Sequence, residues 1–201
     1  VDLSSRWAGA WRALGASPEP ALLARLIAAY SEPHRHYHTL RHLEECFAHL
    51  QSLGSLAQHP AEVELALWFH DAIYDTRRRD SERRSAEWAC QALSPVSSAA
   101  AKRVASLVMA TRHAAAPEGI DAQVLVDVDL AILGAPAERF DEYELQVRRE
   151  YAWAPLPLYR RARRRILESL LARAAIYATA QFVERYEAQA RDNLARSLAR
   201  L

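Results

Sequence analysis

A nearly all-helical fold is predicted by three observations on this sequence. Only 5 of the 201 residues are glycine, while alanine, leucine and arginine, all good helix formers, dominate. Apolar residues recur at spacings of three and four, and no stretch sustains the period-two alternation of a strand. No Pro/Gly/Ser-rich linker divides the chain, which is long enough to bury one sizeable core, so a single domain over residues 1–201 is expected.

Taken in order, helical periodicity runs over 3–14 and then 18–30, where Ser17 suits an N-cap and Pro18 a first turn. Residues 31–38 form an irregular, histidine-rich stretch. Helices follow over 39–53 and 61–74; in the second, Val63, Leu67 and His70 share one face, with Ala66 and Tyr74 beside them. The next helix, 81–93, opens on Ser81, a residue able to cap it, and 97–111 ends at Thr111-Arg112-His113. Helices over 122–133, 136–152, 155–171 and 176–199 complete the chain. Acid-first pairs at four-residue spacing, Glu144 with Arg148 and Glu187 with Arg191, support two of these.

Composition narrows the classes of function. A formal net charge of +1 gives no global attraction to nucleic acid or to an anionic membrane. The arginine run within 159–165 spreads around its helix and reads as a solvated face with local acid partners, phosphate capture by one of the arginines being the other reading. No apolar run approaches a membrane span and no signal sequence is evident, so a soluble cytoplasmic protein is expected. Cys46 and Cys90 fit neither a zinc-knuckle spacing nor a disulfide framework and read as free buried thiols.

Chemistry concentrates in three tracts. His70-Asp71 places two metal-ligating side chains in an otherwise apolar helix, where burying them without a counter-charge would be costly. Upstream, His38 and His42 stand four residues apart and so stack one turn apart on one helix face. Downstream, Asp127 and Asp129 are embedded in a strongly apolar run.

The order His, His-Asp, Asp resembles the HD superfamily of metal-dependent phosphohydrolases. The tracts 35–45, 69–75 and 127–134 resemble in particular its small bacterial branch of predicted metal-dependent phosphohydrolases, and the tail 187–194 is similar to the end of those proteins. The resemblance implies an HD-type helical bundle, one or two divalent ions and hydrolysis of a phosphate ester or anhydride. It points to His42, His70, Asp71 and Asp129 as metal ligands, Asp127 being the alternative to Asp129, with a helix-start or supporting role as its other reading. A mixed nitrogen and oxygen set suits manganese, iron, cobalt, nickel or zinc. Four protein ligands on an octahedral ion leave positions for water and a phosphate oxygen, as a catalytic site requires.

Roles around the ion follow from the same resemblance. Asp75, one helical turn past Asp71, is the leading general acid or base, although Tyr74 stands where the ppGpp-hydrolase branch carries a glutamate; simple helix termination is its alternative. His38 binds a second ion, contacts substrate phosphate or orients His42. His113 binds substrate phosphate or a second metal, or is a cation favoured at a helix C-terminus. In 80–86 a capping role for Ser81 is the preferred reading and a phosphate contact by Arg83 the alternative, while His34 and His36 are read as exposed. The expected function is metal-dependent hydrolysis of a small phosphorylated metabolite, with nucleotides the class the resemblance favours. A non-catalytic metal or nucleotide sensor is the alternative, and a nucleic-acid-binding module rests on the arginine run alone.

Overall fold

Ten α-helices and one 3-10 segment make up the regular structure of the residues described, 2–53 and 55–201 of a computed structural model, with no strand among them. The all-helical class read from the sequence is the class observed. In chain order the helices are α1 Leu3–Ala13, α2 Leu22–Tyr30, α3 Leu40–Leu53, α4 Pro60–Phe69, α5 Ser81–Leu93, α6 Ser98–Ala110 and α7 Ile120–Asp129. The 3-10 segment Leu130–Gly134 then leads into α8 Ala137–Glu150, α9 Leu156–Leu171 and α10 Ala180–Arg200. Among the described residues no helix is long and apolar enough to cross a membrane.

Local chemistry accounts for several boundaries. Asp2 caps α1 by accepting from Ser4 N and Ser5 N at 3.1 and 3.2 Å, Ser97 caps α6 through Ala100 N at 3.2 Å, and Pro60 occupies the first turn of α4. Other boundaries differ from the sequence reading. The helix expected over 18–30 starts only at Leu22, with Ala21 at the N-cap position, so Ser17 and Pro18 lie outside it. Ser81 is the first residue of α5 rather than its cap, because its hydroxyl accepts from Asp75 N at 3.2 Å. Arg83 is exposed and holds Asp80 and Glu87. Glu187 does pair with Arg191, at 2.7 Å, but Glu144 turns instead to the buried Arg163.

The largest departure concerns α4. It ends at Phe69 and does not continue to Tyr74. The carbonyls of Asp71 and Ala72, which a continuing helix would use internally, accept instead from the Arg35 guanidinium at 2.6 and 3.1 Å, and Ile73 N donates to Ser85 Oγ at 3.0 Å. Tertiary partners thus replace the next helical turn.

Helix α4 is buried on nearly every side, from Val63 through Leu65, Ala66, Leu67, Trp68 and Phe69, as expected of a helix at the centre of a core. It packs against α1, α3, α5, α6 and α7. Trp7 of α1 meets Trp68 edge-on with centroids 5.3 Å apart, a geometry aromatic quadrupoles favour. At the other end of the chain, α10 is bound to the segment that follows α7. Asn193 Nδ2 donates to Leu133 O and Ala135 O, both at 2.8 Å, and a Cβ on Gly134 would stand 2.7 Å from Tyr186 Cβ. Helix α10 therefore braces the segment that follows Asp129.

Candidate metal centre

The four ligands expected from the sequence come together. His42 projects from the first turns of α3, His70 and Asp71 from the end of α4, and Asp129 from the last residue of α7. His42 Nε2 lies 3.1 Å from His70 Nε2, and Asp71 Oδ2 is 3.0 Å from His70 Nε2 and 3.8 Å from His42 Nε2. Asp129 Oδ1 reaches the same histidine pair at 3.3 and 3.4 Å. Donors about 2.1 Å from a common ion stand roughly 3 to 3.5 Å apart when they are neighbours in an octahedron or tetrahedron; His42, His70 and Asp71 form one group that could hold an ion, and His42 and Asp129 belong with Cys46 to a second. His70 Nδ1 donates to Leu67 O at 2.7 Å, which leaves the Nε2 lone pair free to face the cluster.

Electrostatics agree with the geometry. Burial opposes charge on His70, yet Asp71 and Asp129 outweigh it and raise its pKa well above the ordinary value. The two carboxylates are themselves held below the usual range, against burial, by the histidines around them. Positive charge is therefore favoured between them. Cys46 also borders the cluster, 3.7 Å from His42. Burial, then Asp129 and Asp71, push its thiol up, and it donates to Val128 O at 3.8 Å. Cys90, read as buried too, is half-buried against Ser94.

Asp127 is separated from this centre. Its carboxylate faces the opposite way along α7, accepting from Ala178 N and Thr179 N at 2.7 Å each and from Thr179 Oγ1 at 2.6 Å. It anchors the start of α10, in keeping with its supporting reading.

Of the other expected residues, His113 touches the cluster. Its Nε2 is 3.0 Å from Asp129 Oδ2, its backbone takes the left-handed φ of 53°, and its buried Nδ1 has no hydrogen-bond partner. Asp75 does not reach it. Because α4 stops at Phe69, the helical spacing that would have set Asp75 beside Asp71 is lost, and its carboxylate accepts from Arg77 N at 2.9 Å within a turn. His34 and His36 are exposed as expected.

His38 is held by a residue the sequence reading did not single out. Its Nδ1 donates to Glu150 Oε2 at 2.8 Å, and its ring stacks on Tyr74 at 4.2 Å. Glu150, buried at the end of α8, also accepts from Tyr74 OH at 2.8 Å and, on Oε1, from the backbone N–H groups of His36, Tyr37 and His38 at 2.8, 2.7 and 3.0 Å. Burial opposes ionisation, but these donors bring Glu150 down to about 2. Burial likewise opposes charge on His38, and Asp71 and Glu150 overcome it, raising its pKa. Arg35 is the second missed residue: besides the carbonyls of Asp71 and Ala72 it donates to His38 O at 3.2 Å. The contacts that matter for the site, Glu150 with His38 and Arg35 with the carbonyls of Asp71 and Ala72, join residues distant in the chain.

Fold and site together define an all-helical protein with a buried histidine–carboxylate cluster that could hold a metal ion. No family model, curated protein or solved structure matches the chain.

Proposed function

We propose that the protein is a metal-dependent phosphohydrolase acting on a small phosphorylated metabolite, as its resemblance to the HD superfamily implies. The observation that carries this reading is the approach of His42, His70, Asp71 and Asp129 donor atoms to within 3.0–3.8 Å around one histidine pair. These residues would hold a divalent ion. When bound, such an ion supplies charge that polarises a phosphoryl oxygen and lowers the pKa of water toward neutrality.

The chain's own groups then have distinct tasks. His38, whose pKa Asp71 and Glu150 raise against burial, would give a proton to the leaving oxygen. Glu150 fixes the ring through Nδ1, leaving Nε2 for that transfer. His113 steadies the second oxygen of Asp129 through Nε2. Asp75 is instead bound into its turn, where it accepts from Arg77 N.

The test is phosphate release from a panel of nucleotides and small phosphate esters with manganese, cobalt, nickel or magnesium. Metal-dependent release by wild type and none by Asp71→Ala is expected. Tight metal binding without release would instead identify a sensor, and release that survives Asp71→Ala would refute the assignment.

A further inference from the structure

A cavity of about 630 Å3 opens beside the cluster, with His42 and Asp129 in its wall. It follows one face of α3, along which His42, Cys46 and His49 succeed one another. Seven residues at 1.5 Å rise separate its cluster end from its His49 end by about 10 Å. The stretch between is lined by small or apolar groups such as Val128, Ala131 and Ile132.

Charge at the two ends is not equivalent. Arg139, also in the wall, is matched: its Nε and one terminal nitrogen meet the two oxygens of Glu45 at 2.9 and 2.8 Å. Arg185 is not matched. Its guanidinium lies over the Tyr186 ring at 5.2 Å, and it makes no ion pair among the described residues. Burial and then Arg185 lower the pKa of His49 beside it, and its Nδ1 shares a 3.3 Å hydrogen bond with Tyr186 OH. Tyr186 is itself fixed by its close approach to Gly134. The end remote from the cluster is therefore a pre-formed pocket with one uncommitted cation and the Gln189 amide beside it.

We propose that this cavity selects an elongated, two-ended substrate, with a phosphoryl group at the histidine–carboxylate cluster and a second anionic group, carboxylate or phosphate, on Arg185. This rests on the phosphohydrolase reading of the cluster. It adds that a monoanionic-ended ester of the same length is a poorer ligand.

Calorimetric titration of the manganese-loaded protein with non-hydrolysable phosphonates tests it. Hexylphosphonate presents one anionic end, 6-phosphonohexanoate adds a carboxylate, 1,6-hexanebisphosphonate adds a second phosphonate, and 3-phosphonopropionate is too short to span. At least one long two-ended probe should bind about fivefold more tightly than hexylphosphonate, the scale of one partly solvated ion pair. Arg185→Gln, an exposed substitution, should erase that gain while leaving hexylphosphonate unchanged. The stronger of the two long probes identifies the second group as carboxylate or phosphate. Equal binding of one-ended and two-ended probes, a gain that survives Arg185→Gln, an equal gain with the short probe, or no binding of any probe would overturn the proposal. Failure of the cluster reading has a separate signature: hexylphosphonate binding that is the same in wild type and Asp71→Ala, whatever Arg185 does.

Discussion

Replacing Glu150 by glutamine should cost stability in a way that depends on pH. The carboxylate collects five donors, three of them backbone N–H groups, and its side chain is 0% exposed. Its pKa falls from 4.5 to about 2 on folding. At about 1.4 kcal/mol per unit, that shift corresponds to about 3 kcal/mol of stability. The folded value lies below the unfolded one, so this contribution is complete above pH 4.5 and disappears as pH falls through 2. Glutamine keeps the shape but loses the charge and turns an N–H toward Tyr74 or His38. Urea unfolding at pH 6 should show Glu150→Gln less stable by about 3 kcal/mol, shrinking to about 1 kcal/mol at pH 3. An equal loss at both pH values, or less than about 1 kcal/mol at pH 6, would mean that the carboxylate's charge is not what the backbone N–H groups hold.

Three further outcomes are expected. Asp127→Ala leaves two backbone N–H groups and a hydroxyl without their acceptor, so it should lower stability by about 2–3 kcal/mol in urea unfolding while metal content, read by elemental analysis, stays at the wild-type level. Gly134→Ala drives a methyl into Tyr186 and should destabilise by about 1–3 kcal/mol, with a matching drop in the thermal midpoint. In turnover assays, His38→Ala should lose about 10²-fold or more and Asp75→Asn only a few-fold, because the first is aimed by Glu150 and the second is occupied by Arg77 N; the reverse ranking would return the proton transfer to Asp75.

The cluster was legible because its members stand out locally: histidines and aspartates inside apolar helical runs are conspicuous, and their order resembles a known series. The resemblance also ranked Asp129 above Asp127, and the structure places the two on different partners. The end of α4 was not legible. The apolar pattern runs on through Tyr74, and what stops the helix is Arg35, which comes from 36 positions earlier to take the Asp71 carbonyl. Glu150 was hidden for a similar reason. It sits after Arg148 and Arg149 in an ordinary amphipathic helix, and its partner His38 lies 112 residues away. Sequence patterns report which face of an element is buried, whereas these two residues act where three irregular segments meet.

Arg35 also bears on how an ion would be received. With its side chain fully buried, it fastens the backbone of His38 to that of Asp71 and Ala72. Ordering a backbone costs about 1–2 kcal/mol per residue, and here that cost falls on folding rather than on ion capture. Capture is then the filling of a rigid socket: affinity is not eroded by loop ordering, and amide exchange across 35–38 and 70–73 should be equally slow before and after the ion arrives.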